Sequence, residues 1–237
     1  MTQGALPRHV AVIMDGNGRW AMRHKLQVAM GHRKGVEALR AVIRLSSDLG
    51  VEALSLYAFS TENWRRDPKE VGALMGLLLE YFTKEIDELH EKNVCIRILG
   101  DVDGLPEAQR NAVRAAEART QGNTGLKLSI ALNYGGRAEL ARAARLLAAR
   151  AARGEIRPED IDESMLADAL YTHGLPDVDL LIRTSGEMRL SNFLLYQCAY
   201  AEFEFPAVLW PDFDEKAYRE ALEAFAARDR RFGGRKG

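Results

Sequence analysis

The run Asp15-Gly16-Asn17-Gly18-Arg19-Trp20 combines residue types that bind anions. Glycine and asparagine adopt positive φ readily, so backbone N–H groups in such a run can converge on a phosphate. A carboxylate directly before the first glycine would repel a pyrophosphate unless a divalent cation lay between them. Because Mg2+ favours one or two carboxylates together with phosphate oxygens, the pattern predicts that Asp15 holds Mg2+ against a diphosphate. A glycine turn in which Asp15 caps a helix would explain the same residues equally well.

The same run also fits G-x-G-x-x-A, the loose fingerprint of dinucleotide-binding loops. In that fold an acidic residue ends the second strand about 20 residues after the glycines. Here the next predicted strand ends near Phe59, much further along the chain. The sequence therefore disfavours a nucleotide- or dinucleotide-binding enzyme.

A second group of polar residues follows a later predicted strand. Arg183, Arg189 and Ser191 come directly after it, and two guanidinium groups at this spacing can fork onto one diphosphate. The alternative for Arg183 is an arginine at a strand end that pairs with an acid. The basic residues Arg228–Arg231 would, on their own, indicate only a solvated tail.

The strands and helices predicted from the pattern of apolar residues must position these groups. The predicted strands are His9–Met14, Ala53–Phe59, Val94–Leu99, Leu126–Leu132 and Val178–Ile182. The predicted helices begin with one that runs from Val36 and ends at Gly50. The others are Val71–Leu89, Pro106–Thr120, Arg137–Arg153 and Glu215–Arg228. Strands separated by long helices indicate an α/β fold with a mostly parallel central sheet and helices on both faces. With no repeat or flexible linker, residues 1–237 are predicted to form a single domain. Ligands of such sheets bind beyond the carboxyl ends of the strands.

The composition sets further limits. The 237 residues carry 33 Lys+Arg against 34 Asp+Glu, and the net charge of −1 argues against a nucleic-acid partner. Cys95 and Cys198 match no metal-binding or disulfide spacing. No signal peptide or membrane span is predicted, so we expect a soluble, cytoplasmic protein.

Longer motifs around these residues, in a fixed order, resemble the cis-prenyltransferases, the undecaprenyl diphosphate synthase family. The matching blocks are His9–Ala21, Gly31–Arg33, Tyr57–Arg66, Gly122–Gly125, Asn133–Arg137, Arg183–Phe193, Ala201–Glu202, Trp210–Phe213 and Arg230–Gly234. The resemblance implies an Mg2+-dependent enzyme that condenses isopentenyl diphosphate with an allylic diphosphate such as farnesyl diphosphate. The product would be a Z-polyprenyl diphosphate, with undecaprenyl diphosphate one candidate. The aspartate-rich D-D-x-x-D motif of the all-helical trans-prenyltransferases is absent, which favours the cis class.

The resemblance also implies roles for individual residues. The allylic diphosphate would be held by Gly16, Asn17, Gly18, Arg19, Trp20, His32 and Arg66. Isopentenyl diphosphate would be held by Trp64, Arg183, Arg189, Ser191, Arg231 and Gly233, with Trp64 ordering a loop over the substrates. Asp15 and Glu202 would be the metal ligands. Asn63 and Ser60 would assist proton loss, although the departing diphosphate could also take the proton because no conventional base is evident.

Three further expectations follow from the resemblance. Arg231 and Gly233 belong to a motif that reaches across a homodimer. The stripe of Val71–Leu89, besides packing on the sheet, would line an apolar tunnel opposite Leu126, Ile130 and Leu132. The long apolar product would partition to a membrane, where the enzyme could act peripherally.

One position departs from the family pattern. Val28 stands four residues before His32, where the family typically carries an arginine that contacts the allylic diphosphate. Arg23, Lys25 or Arg33 could compensate, or the enzyme could prefer an unusual starter and make a short product. A non-catalytic scaffold subunit is the other alternative, but such subunits would be expected to lose the Asp15 motif, which this chain keeps.

Overall fold

The apolar runs pair side by side in one parallel sheet. The computed structural model describes residues 6–229. Within them the six strands are β1 (His9–Ile13), β2 (Ala53–Ser60), β3 (Cys95–Leu99), β4 (Lys127–Tyr134), β5 (Leu180–Arg183) and β6 (Glu202–Glu204). Their order is β3-β4-β2-β1-β5-β6, and every neighbouring pair is parallel. The predicted fold class is confirmed.

Seven α-helices and three 3-10 helices connect or follow these strands in the described chain. The α-helices are α1 (Asn17–Arg23), α2 (Val28–Leu49), α3 (Pro68–Glu91), α4 (Glu107–Thr120), α5 (Gly136–Ala152), α6 (Glu163–Asp168) and α7 (Glu215–Ala226). The 3-10 helices are Thr61–Arg65, Pro158–Asp160 and Trp210–Asp212. Local signals set several of the ends. Asp67 caps α3 by accepting a hydrogen bond from Lys69 N, and Gly50 ends α2 in the left-handed conformation.

The period-two alternation of the strands divides the core into two layers. Val10 and Val12 of β1 pack into the larger layer, together with apolar residues of α2, α3, α4 and α7. Ala11 and Ile13 point the other way, into a smaller layer that contains Phe193. Because β1 is buried on both faces, its run is apolar throughout, as is usual for parallel sheets.

Several elements differ from the sequence-based prediction, which did not include the short helix α6 or the 3-10 helices. Helix α2 starts at Val28 rather than near Val36, because its first two turns contain Gly31, Gly35 and a run of basic residues and so show no apolar stripe. Strand β6 was not predicted, since three residues with two glutamates carry almost no strand signal. In residues 6–229 no helix is long and apolar enough to cross a membrane.

Candidate active site

The carboxyl ends of β1, β2, β4 and β5 meet at one edge of the sheet. In the strand order, β1 lies at the centre, between β2 and β5. The strands β2, β4 and β3 lie on one side of it, and β5 and β6 lie on the other. A crevice forms at such a switch point and is the usual ligand site of an open parallel sheet. Four polar segments lie at these strand ends: Asp15–Trp20, Ser60–Trp64, Asn133–Arg137 and Arg183–Arg189.

The glycine run after β1 begins helix α1. Gly16 is the N-cap with φ of 109°, and a Cβ there would lie 2.4 Å from Ser185 Oγ, so only glycine fits. The sequence suggested positive φ for Asn17 and Gly18 too, but both are helical. The backbone N–H groups that can bind a phosphate are therefore those of the first turn of α1, because these amides have no acceptor within the helix.

The carboxylate of Asp15 lies between two guanidinium groups. Its Oδ1 accepts a hydrogen bond from Arg19 Nη2 at 3.0 Å, and its Oδ2 accepts one from Arg183 Nη2 at 2.8 Å. The hydroxyls of Thr184 and Ser185 donate to the Asp15 carbonyl at 2.6 and 2.9 Å. No side chain caps α1, so the helix-cap interpretation of Asp15 is wrong.

The charge state of Asp15 follows from these contacts. Burial raises the pKa of this carboxyl, but hydrogen bonds and ion pairs with Arg183 and Arg19 outweigh it and lower the pKa below the usual value. Asp15 is therefore ionised at neutral pH. Its side chain is still 25% exposed, which leaves access for a ligand.

The second cationic group is built around Arg183. Its side chain is only 5% exposed, and Nη1 donates to the Arg189 carbonyl at 2.6 Å and to Ser191 Oγ at 2.7 Å. These bonds, with the one to Asp15, fix the plane of the guanidinium group. The prediction that Arg183, Arg189 and Ser191 act together agrees with this geometry, and so does the alternative that Arg183 pairs with an acid.

Glu187 is a residue of the site that the sequence reasoning missed. Its Oε1 accepts a hydrogen bond from Arg19 Nη1 at 2.7 Å, and its other oxygen pairs with Arg189. The carboxylate thus joins the arginines of the two predicted diphosphate sites. Its place inside the motif Arg183–Phe193, between two arginines, was the available signal.

His32 and Arg66 meet at Glu70. Arg66 Nη1 donates to Glu70 Oε1 at 2.8 Å, and His32 Nε2 lies 3.7 Å from the same oxygen. Burial lowers the pKa of His32, and the attraction of Glu70 only partly offsets this. His32 is therefore neutral at neutral pH and offers a ligand a hydrogen bond rather than a charge.

Ser60 and Asn63 form a capping box at the end of β2. Asn63 Oδ1 accepts a hydrogen bond from Ser60 N at 3.0 Å, and the Ser60 side chain accepts one from the backbone of Asn63. Trp64 donates from Nε1 to Asn133 Oδ1 at 2.8 Å and packs edge-to-face on Phe59. The structure thus gives all three residues a part in fixing this loop.

Trp20 contacts residues other than the predicted diphosphate ligands. Trp20 donates from Nε1 to Asp212 Oδ1 at 2.7 Å and stacks on His24. Arg231 and Gly233 lie outside the described residues.

Glu202 is not brought beside Asp15 within this chain. It pairs in register with Leu180, three residues before Arg183, which places it about 10 Å towards the opposite end of the sheet. Its carboxylate accepts a hydrogen bond from Arg228 Nη1 at 2.9 Å. Between residues 6 and 229 no three His, Cys, Asp or Glu residues are grouped so as to hold a metal ion. Residue type alone could not show this, because the separation depends on the register of β6.

A cavity of about 730 Å³ opens at this polar edge and continues between α2, α3 and the sheet. Nine predicted site residues line it: Asp15, Asn17, His32, Ser60, Asn63, Arg66, Arg183, Arg189 and Ser191. Its deeper wall is apolar and includes Leu39, Leu74 and Leu78. Of the predicted strand residues Ile130 lines it, whereas Leu126 and Leu132 are buried elsewhere in the core. An apolar tunnel behind a polar, arginine-containing mouth is thus present.

Comparison with known proteins decides the family. The Prenyltransf family model, which describes undecaprenyl diphosphate synthases, matches residues 13–233. The chain belongs to the undecaprenyl diphosphate synthase family. The resemblance inferred from the motifs is confirmed.

Curated relatives of this family member extend over nearly its whole length. An isoprenyl transferase of Clostridium perfringens is 49% identical over 99% of the chain and 92% of the relative. The ditrans,polycis-undecaprenyl-diphosphate synthase of Escherichia coli K12, described as specific for (2E,6E)-farnesyl diphosphate, is 50% identical over 96% of the chain and 90% of the relative.

Solved structures of this family share the fold. Lavandulyl diphosphate synthase from Lavandula x intermedia, in complex with dimethylallyl diphosphate, superposes with a TM-score of 0.94. It is 38% identical and covers 96% of this chain and 98% of its own. A probable undecaprenyl diphosphate synthase from Campylobacter jejuni has a TM-score of 0.80 at 31% identity, with 98% and 100% covered.

Proposed function

We propose that this chain is a cis-prenyltransferase that condenses isopentenyl diphosphate with an allylic diphosphate to make a Z-polyprenyl diphosphate. The observation that carries the proposal is one continuous cavity with an arginine-rich mouth and an apolar interior. A diphosphate needs the arginines of the mouth, and a growing hydrocarbon chain needs the apolar interior. The name of the E. coli relative supports farnesyl diphosphate as starter and undecaprenyl diphosphate as product, and that of the C. perfringens relative supports isoprenyl transfer.

The polar mouth has two positions for diphosphates. Arg183, Arg189 and Ser191 surround one, where the fixed guanidinium group of Arg183 can fork onto isopentenyl diphosphate. The first turn of α1, with Arg19, offers the other, and Asn17 of this turn lines the cavity. We assign the allylic diphosphate to it because the family resemblance does so. His32 and Arg66 line the mouth between α2 and α3 and add contacts to the same group. The apolar tail then extends between these helices.

The residues at the mouth fit a magnesium ion. Mg2+ usually takes one or two protein carboxylates and completes its shell with water and substrate phosphates, so a cluster of three acids is not required. Asp15 supplies an ionised, partly exposed carboxylate, and the nearby Asn17 Oδ1 is a buried acceptor with no hydrogen-bond partner in the described chain. We propose that Asp15 holds the ion. When bound, Mg2+ would stabilise negative charge on a departing diphosphate.

The chain's own groups account for the remaining requirements of the reaction. The double bond of isopentenyl diphosphate attacks C1 of the allylic substrate, the C1–O bond breaks to release diphosphate, and a proton is lost to give the new double bond. Arg19 and the α1 amides stabilise the departing charge. The apolar walls exclude water from the reacting carbons. The released diphosphate takes the proton, while Ser60 and Asn63 hold the adjoining loop in place.

One assay tests the proposed function. Purified protein is incubated with labelled isopentenyl diphosphate, Mg2+ and allylic diphosphates of several lengths, and the products are separated by chain length. Labelled Z-polyprenyl diphosphate is expected with at least one starter. No product with any starter, from protein with a native circular dichroism spectrum, would instead support the scaffold subunit.

Val28 offers a test of the allylic site. It is the first residue of α2, is 37% exposed, and its Cγ1 lies 4.0 Å from the place where a Cβ of Gly18 would be. An arginine here could reach the diphosphate at the first turn of α1. Val28→Arg is therefore expected to lower the allylic KM by at most about ten- to a hundredfold, with little change for isopentenyl diphosphate.

The control for this prediction is Met30→Arg, which adds the same charge to an exposed position on the same helical turn. It should leave both KM values near those of the wild type. An unchanged allylic KM in Val28→Arg with every starter would indicate that Arg23, Lys25 or Arg33 already compensates. A change in the preferred starter would make Val28 a specificity residue.

We also propose that residues 1–237 form one catalytic domain that works as a homodimer. The support is the resemblance of Arg231-Phe232-Gly233 to the family motif that reaches a partner's diphosphate site. Deleting residues 230–237 is expected to raise the KM for isopentenyl diphosphate more than that for the allylic substrate. Deleting only residues 235–237 is the control. A fully active monomer in sedimentation and assay would contradict the proposal.

A further inference from the structure

One large side chain lies between the main cavity and a second, smaller one. Tyr81 lines the main cavity and is itself buried, with its ring packed edge-to-face against Phe82 at a centroid distance of 5.8 Å. It also lines a second, small cavity of about 30 Å³. Tyr81 is therefore the wall that the two cavities share.

The second cavity continues the first along the same groove between α2 and α3. The main cavity contacts α2 as far as Leu39 and α3 as far as Phe82. The small one contacts the next turns of both helices, including Ile43 and Leu89. This volume has room for no more than a few water molecules, so it admits no isoprene unit while Tyr81 fills the space between.

Charged residues lie beyond this wall. Arg40 pairs with Glu85 and Lys92 pairs with Glu88, and all four line the small cavity. Hydrocarbon pushed against them would desolvate ion pairs, which is unfavourable. The groove is thus apolar up to Tyr81 and polar soon after it.

We propose that Tyr81 ends the channel of the growing prenyl chain and thereby sets product length. This inference rests on the proposed function. Removing the ring would extend the channel from the level of Tyr81 towards Glu85 and Leu89, which is about 6–12 Å along α3. An isoprene unit adds four carbon–carbon bonds of about 1.5 Å to the chain, or less than ~6 Å. The added space holds about one to two units before the charged residues stop further growth.

The first test measures binding without catalysis. Dissociation constants are determined for allylic prenyl diphosphates from C10 upward, in the absence of isopentenyl diphosphate. Wild-type affinity should rise with each added unit and then stop rising at the length that reaches Tyr81. In Tyr81→Ala the rise should continue for one or two more units, at least about tenfold tighter for each. Tyr81→Phe keeps the ring and should behave as the wild type.

The second test measures product length in the condensation assay. Tyr81→Ala should make products one or two C5 units longer than the wild type, whereas Tyr81→Trp should make none longer. Leu74→Ala is the matched control, because it removes volume from the cavity wall about two turns before Tyr81 on the same helix. If Tyr81→Ala does not fold, Tyr81→Leu takes its place.

The two tests separate failure of this inference from failure of the proposed function. An affinity limit at the same chain length in the wild type and in folded Tyr81→Ala would overturn the role of Tyr81, whatever the catalytic activity. Absence of any product from the wild type would overturn the proposed function, while the binding series would still decide whether Tyr81 closes the channel. A shift of the limit in Leu74→Ala as large as that in Tyr81→Ala would also overturn the inference.

Discussion

Asp15→Ala is expected to lower turnover by about a hundred- to a thousandfold or more, with the far-UV circular dichroism spectrum unchanged. The carboxylate is ionised, reaches the cavity and adjoins the first turn of α1, so its loss removes the proposed ligand of Mg2+. The fold should survive because the backbone of Asp15 keeps its bonds to Thr184 and Ser185. A stability loss of about 1–3 kcal/mol is expected, since Arg183 loses its charged partner.

The control for Asp15 is Glu187→Gln, which removes another carboxylate partner of Arg19 from the same mouth. It should change turnover by only a few-fold. If both variants lose activity equally, Asp15 acts by positioning arginines and not by holding a metal. Near-normal turnover of Asp15→Ala at saturating Mg2+ would remove the assignment altogether.

Arg183→Lys is expected to raise the KM for isopentenyl diphosphate by about ten- to a hundredfold. Arg183 is nearly buried and its guanidinium plane is fixed by Asp15, the Arg189 carbonyl and Ser191. A lysine keeps the charge but cannot fork, so it loses at least one charge-assisted hydrogen bond of about 1.5–3 kcal/mol. Steady-state kinetics with each substrate varied in turn measure the effect.

Arg189→Lys is the comparison for Arg183, because Arg189 is more than half exposed and pairs with Glu187 at the surface. Its effect on the same KM should be smaller, since an exposed lysine can shift to meet the diphosphate. The allylic KM should change little in either variant. An equal rise for both substrates in Arg183→Lys would place this residue between the two diphosphates rather than at one.

The structure also explains how several arginines can stand together before any diphosphate binds. Asp15 accepts from Arg19 and Arg183, and Glu187 pairs with Arg19 and Arg189. These two carboxylates hold three guanidinium groups near the mouth and reduce their mutual repulsion. An incoming diphosphate can replace carboxylate oxygens as the acceptor without moving the arginines far, which lowers the ordering cost of binding.

The sequence by itself determined five of the six strands described and the position of the site at their carboxyl ends. Apolar runs such as His9–Ile13 and stripes such as that of α3 have the periods of their elements, and both were predicted within a few residues. Because the carboxyl ends of parallel strands share one edge, Asp15 and Arg183 could be expected to lie near each other before their distance was known. The long motifs indicated the family, and comparison with known proteins confirmed it.

Only the tertiary structure decided which groups touch. The bonds from Arg183 to Asp15 and from Arg19 to Glu187 join residues more than 160 positions apart, so they depend on strand order and not on local pattern. The register of β6 separates Glu202 from Asp15, although both are acids in family motifs. The end of the tunnel at Tyr81 likewise could not be predicted from the sequence, because the apolar residues of α3 continue beyond Tyr81. What closes the tunnel is the way α2 and α3 pack, and packing is a property of the folded chain.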